Sequence, residues 1–146
     1  MNANRKEYLI NVRGIQEVDG SRDSVELTTI GSFISKDNGH TFIGYKEYDE
    51  DDPSISSNNV VKVEGTERVS IIRNGETQSR LILEKSKRHQ CHYNTPMGSI
   101  LIGVSTELIE NNLKKNGGSL HVVYSLDFNN EQISNNEFFI DVTEKG

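Results

Sequence analysis

Short turn dipeptides recur along this chain, and the residues between them alternate in polarity. Asp19-Gly20, Asn38-Gly39, Asn74-Gly75 and Gly117-Gly118 are pairs that tolerate the positive φ of a tight hairpin turn. Glu64-Gly65 and Asn129-Asn130 are weaker signals of the same kind. Between them lie period-two runs: Tyr8, Ile10 and Val12; Val25, Leu27, Thr29 and Phe33; Thr41, Ile43, Tyr45 and Glu47. Val61-Val63, Val69-Ile71-Arg73, Leu81-Leu83 and Cys91-Tyr93 continue the series, followed by Ile100-Ile102-Val104, Leu120-Val122-Tyr124-Leu126-Phe128 and Phe138-Ile140-Val142. Alternation puts every second side chain on one face, the signature of a half-buried strand. Ala3 is the only alanine, so the best helix former is missing from the body of the chain.

The pattern predicts an antiparallel up-and-down meander of about eight to ten strands. A twisted sheet of that size closes or splits into two layers, and closure removes the edges that invite aggregation. An all-β barrel is therefore preferred to an open sandwich. One segment, Thr106 to Lys115, has a helical alternative that places Ile109 and Leu113 on one face. The strand reading needs a change of phase at Leu108-Ile109, which a β-bulge supplies. It is preferred because so short a helix is marginal. The one long loop is read as Asp49 to Asn59, acidic and then rich in serine and asparagine. With no repeat and no low-complexity linker, the chain reads as a single domain over 1–146, with residues 1–6 as a flexible N-terminus.

Composition excludes several classes of function. Lys and Arg total 16 against 22 Asp and Glu, a net charge of −6, so no general basic face for a nucleic-acid backbone is expected. Cys91 is the only cysteine, which rules out an intramolecular disulfide. The apolar runs fall far short of the roughly 20 residues of a membrane helix. The stretch from Met1 to Glu7 lacks the apolar core of a secretory signal, so a reducing cytoplasm is the expected compartment. There is no P-loop, dinucleotide-binding glycine motif, nucleophile elbow or kinase signature, and no catalytic constellation is legible.

Several short motifs, in order, resemble one family. Tyr45-Lys46-Glu47 resembles a Tyr-x-Glu at the end of an early strand, and Val61-Lys62-Val63 with Ile72-Arg73-Asn74-Gly75 resembles a Val-x-Val and Arg-x-Gly hairpin. Tyr93-Asn94-Thr95-Pro96-Met97-Gly98 resembles a Tyr-x-Thr-Pro-x-Gly turn. Val104-Ser105-Thr106 and Gly118-Ser119-Leu120 with Tyr124 complete the set. Together they resemble the YwiB-like family of small bacterial proteins, from about Tyr8 to Val142. Asn59 departs from the pattern, where the family usually has threonine, and the acidic loop before it is longer than usual. The resemblance implies a calycin-like (lipocalin-like) β-barrel and implies no reaction.

Counting strands brings several polar residues to one mouth. If the first strand runs up, Glu47, Arg73 and Tyr93 end the third, fifth and seventh strands at the top, with Thr95 to Gly98 in the next turn. Glu47 and Arg73 share the parity of the Ile43-Tyr45 and Val69-Ile71 stripes, so both are predicted to point inward. Strands two apart lie about 9–10 Å from each other, within reach of two long side chains. The pair is read either as an anchor for a small ligand or as an ion pair that caps the barrel. Tyr45, Tyr93 and Tyr124 line a pocket or fill a core, and Thr95 either contacts a ligand or serves the turn. The candidate ligand-binding set is thus Tyr45, Glu47, Arg73, Tyr93, Thr95 and Tyr124.

No metal site, cofactor or catalytic residue is assigned. On a strand His89 and Cys91 face one side and His92 the other, which prevents joint ligation, and no partner motif completes a site. The run Asp49 to Asp52 lacks the spaced ligands of a calcium loop. The expected partner is a small molecule at the mouth or interior, with neither nucleic acid nor membrane. The alternative is a barrel filled by Phe33, Phe42, Leu81, Tyr93 and Phe128 that acts through its surface as a protein-interaction or structural module.

Overall fold

The computed structural model describes residues 6–49, 51–75, 78–95 and 98–145. All ten elements are strands: β1 (Tyr8–Val18), β2 (Ser21–Ser35), β3 (His40–Tyr48), β4 (Ser56–Glu64), β5 (Arg68–Asn74), β6 (Gln78–Glu84), β7 (Arg88–Thr95), β8 (Gly98–Lys114), β9 (Gly117–Phe128) and β10 (Glu131–Glu144). Each pairs antiparallel with its sequence neighbour, and β1 pairs with β10 to close the barrel. The expected all-β meander, closed into a calycin-like barrel, is the fold observed. Among the described residues no helix is long and apolar enough to cross a membrane. The expected flexible N-terminus lies outside the described residues apart from Lys6, whose Nζ sits 2.7 Å from Glu144 Oε2.

The turns follow from the residues that make them. Asp19 and Gly20 have φ of 49° and 82°, and Asn129 and Asn130 have 52° and 67°, the double positive φ that matches strand twist in a two-residue hairpin. Gly117-Gly118 is a different case. The β8–β9 turn is Lys115-Asn116, two residues earlier than expected, and the two glycines begin β9. An added Cβ there would strike the carbonyl oxygens of Val142 and Asn112, so glycine serves close backbone approach rather than the turn.

Inward parity carries the core. Ile10, Ile43, Leu83, Leu120, Ile140 and Val122 are among the side chains fully shielded from solvent. Burying each such aliphatic side chain contributes about 1.5–3 kcal/mol. The segment from Thr106 to Lys114 is strand. The ladder slips between Thr106 and Leu108, so Thr106 and Ile109 both face the interior. The change of phase thus falls at Glu107, one residue before the expected position.

Three expectations are corrected. Ser56 to Asn59 belong to β4, paired with Tyr48 to Tyr45, so the acidic loop ends at Ile55. Ladder pairing with β3 outweighs the weak strand propensity of these residues. Phe42 faces outward, one step out of phase with Ile43, with Lys36 and Lys62 over its ring at 5.1 and 5.8 Å. Phe128 ends β9 and is 43% exposed. Of the five residues considered as barrel filling, Phe33 is buried and Leu81 packs on the core, while Tyr93 is half-buried.

Candidate functional site

The register builds a polar ring on the inner wall. Tyr45 pairs with Asn59, Asn59 with Arg73, Arg73 with Ser79 and Ser79 with Tyr93. These five positions therefore form one row across five adjacent strands. Glu47 stands one inward step beyond Tyr45, opposite Ser57. The row lies just below the β3–β4, β5–β6 and β7–β8 connections, at the mouth expected from the strand count.

Glu47 and Arg73 meet there. Arg73 Nη1 is 3.3 Å from Glu47 Oε1, and Asn59 Nδ2 donates to the same oxygen at 3.2 Å. Both charged side chains remain partly open to solvent, 43% for Arg73 and 36% for Glu47. Beneath them, Asn59 Oδ1 and Ser57 Oγ are buried with no hydrogen-bond partner among the described residues. An unmade hydrogen bond at a buried polar atom costs on the order of 1–3 kcal/mol. Tyr45 completes the cluster. Burial pushes its hydroxyl up to about 12, helped by the Glu47 charge and opposed by Arg73 and Asn59. The phenol thus stays protonated, a hydrogen-bond donor at every ordinary pH.

Of the six candidate residues, Tyr45, Glu47 and Arg73 come together, and Tyr93 lies in the same row two strands beyond Arg73. Thr95 ends β7 opposite Gly98, but its side chain and the neighbouring Pro96 and Met97 lie outside the described residues. Tyr124 is elsewhere. It pairs with Thr106 and Asn136, and it lines a separate cleft of about 180 Å³ with Gly14, Val25 and Phe138. Burial alone pushes its hydroxyl up to about 12. Asn59 and Ser57 are ring members that the sequence reading left in the acidic loop. Extending the Val61-Val63 alternation backward by two and four residues would have found both.

A second concavity of about 640 Å³ lies outside the wall, lined by Lys6, Ile30, Ser32, Gly44, Lys46 and Asn58 among others. Neither concavity includes Glu47 or Arg73. The His89 region is arranged for other purposes. His89 Nε2 lies 2.9 Å from Glu84 Oε1, Cys91 is buried and accepts a bond from the Ile82 amide at 3.5 Å, and His92 is exposed. Among the described residues no three His, Cys, Asp or Glu side chains converge as a metal site would need.

A closed ten-stranded meander with a polar ring under one mouth defines a small all-β barrel class. The chain belongs to the family described as a domain of unknown function, DUF1934, whose model matches residues 10–140. The crystal structure of the ywiB protein from Bacillus subtilis superposes with a TM-score of 0.81. That match covers 97% of this chain and 93% of the other at 19% identity, a likeness of fold. The resemblance to the YwiB-like family is thereby borne out. Among curated proteins no relative matches the chain.

Proposed function

We propose that this barrel binds a small anionic molecule at its mouth. The reading rests on one observation: the buried Asn59 Oδ1 and Ser57 Oγ, unpartnered among the described residues, lie beside a half-open Arg73–Glu47 pair. Arg73 offers a guanidinium fork suited to a carboxylate or phosphate. Asn59 Oδ1 accepts from a donor group on the same molecule, Ser57 and the Tyr45 hydroxyl can donate, and Glu47 orients the arginine. The deep interior is filled by aliphatic side chains, so the ligand rests on the ring. That filling also supports the second reading, a ligand-free barrel acting through its surface. A buried free Cys91 suits a reducing compartment such as the cytoplasm.

Native mass spectrometry of protein purified from a bacterial cell tests the proposal. The expected result is a stoichiometric adduct that leaves on denaturation and is lost in Arg73→Ala, whose circular dichroism matches that of the native protein. A bare mass for the native protein, or an adduct that Arg73→Ala retains, would overturn it.

A further inference from the structure

The barrel wall is paired unequally around β2. Every residue of β2 from Ser21 to Gly31 pairs with β1, but only Gly31 to Ser35 pair with β3. Among the described residues Ser21 to Ile30 therefore have a ladder partner on one side only, while β1 behind them stays paired with β10 as far as Glu17. Ser21 to Glu26 are exposed on both faces of the strand. Val25 is 75% exposed, more than any other large apolar residue of the described chain. A long unpaired edge presents a row of free N–H and C=O groups, a template for another strand.

The charges along this edge say which strand fits. Arg22 and Glu26 lie on the same outward face, two residues either side of Ser24. Two antiparallel copies of the edge, related by a two-fold axis at Ser24, place each Arg22 opposite the partner's Glu26. Two cross-strand ion pairs form at once, on directly opposed positions where opposite charges stabilise and like charges destabilise. The same register brings the two Val25 side chains to diagonal positions on the other face, within reach of each other. The edge is thus self-complementary, as an isologous contact requires. In the single chain both charges have weaker partners: Arg22 Nη2 is 3.8 Å from Glu137 Oε2, and Glu26 accepts from Asn11 Nδ2 at 2.9 Å.

We propose that the free edge of β2 joins a second copy of this chain, extending both barrels into one continuous antiparallel sheet centred on Ser24. The contact lies away from the Arg73 ring and does not depend on any ligand bound there.

Sedimentation equilibrium of the whole chain tests it. The native protein is expected to dimerise. Arg22→Glu alone and Glu26→Arg alone each oppose like charges across the axis, so each is expected to weaken self-association about tenfold or more. An equimolar mixture of the two variants restores opposite charges at both positions and is expected to recover dimers as heterodimers. Both positions are exposed, and circular dichroism checks that each variant keeps the fold. Exchange of the edge-facing amides between Ser21 and Leu27 should slow as protein concentration rises. A native protein that stays monomeric at its highest soluble concentration overturns the proposal. So do variants that dimerise undiminished, or a mixture that fails to recover.

Discussion

Two tyrosine hydroxyls sit where losing a proton is unfavourable. Tyr45 and Tyr124 are both pushed up to about 12, chiefly by burial. A neutral phenol in the folded state contributes stability that is whole below the unfolded value near 10 and is lost as pH rises through the folded value. Two units correspond to about 2–3 kcal/mol per group. Tyr124 is the cleaner case, because burial is its only cause. The native protein should lose thermal stability between about pH 10 and 12, and Tyr124→Phe should lose about 2 kcal/mol less over that window. Melting curves at stepped alkaline pH check this, and parallel pH dependences for the two proteins would refute it. At this scale the sequence showed which side chains point inward, because parity is a local property. It did not show that Tyr124 stands apart from Tyr45, because that depends on how far each strand is displaced along its neighbours.

Within single strands, glycines record close approaches that no pattern announces. Gly103 of β8 pairs with Asp127 on one side and Gln90 on the other. Over it, Arg88 forks onto Asp127, with Nε to Oδ2 at 3.0 Å and Nη2 to Oδ1 at 2.7 Å. A Cβ at Gly103 would strike both the guanidinium and the carboxylate. Gly103→Ala should therefore break the fork and cost up to about 1 kcal/mol, the worth of an exposed ion pair whose flexible ends can swing aside. The Asp127 carboxyl, now held below its usual range by Arg88, should return toward that range. Urea denaturation and NMR titration of Asp127 read the two effects, and an unchanged midpoint would count against the account. The sequence marked strand existence well and glycine roles poorly. Alternation is visible along one strand, whereas Gly103, Gly117 and Gly118 answer to atoms on others. The β8 bulge was legible because Leu108-Ile109 interrupts the alternation. Ser56 to Asn59 were missed because serine and asparagine are typical of loops, and only the ladder to β3 makes them strand.

At the scale of the whole barrel, neighbour order follows from the meander, but the quality of closure does not. Tilted strands of unequal length cannot pair along their full extent with both neighbours. One consequence is the free edge of β2; another is a seam between β6 and β7. Among the described residues only Gln78 with Asn94 and Ser79 with Tyr93 pair there, at the mouth end. Below them side chains bridge the gap: the Ile82 amide donates to Cys91 Sγ, and Glu84 holds His89. A thiol is a weak acceptor, so that amide is poorly held. The Ile82 N–H points toward β7, beyond the last ladder pair. This amide should exchange with solvent faster, by about tenfold or more, than that of Val122, whose strand is paired over most of its length with both β8 and β10. Cys91→Ala should speed Ile82 exchange further while leaving Val122 unchanged. Native-state hydrogen exchange by NMR resolves both positions. Equal protection at Ile82 and Val122 would mean that the seam opens only with the whole barrel, and that side-chain bridges there are as secure as a ladder.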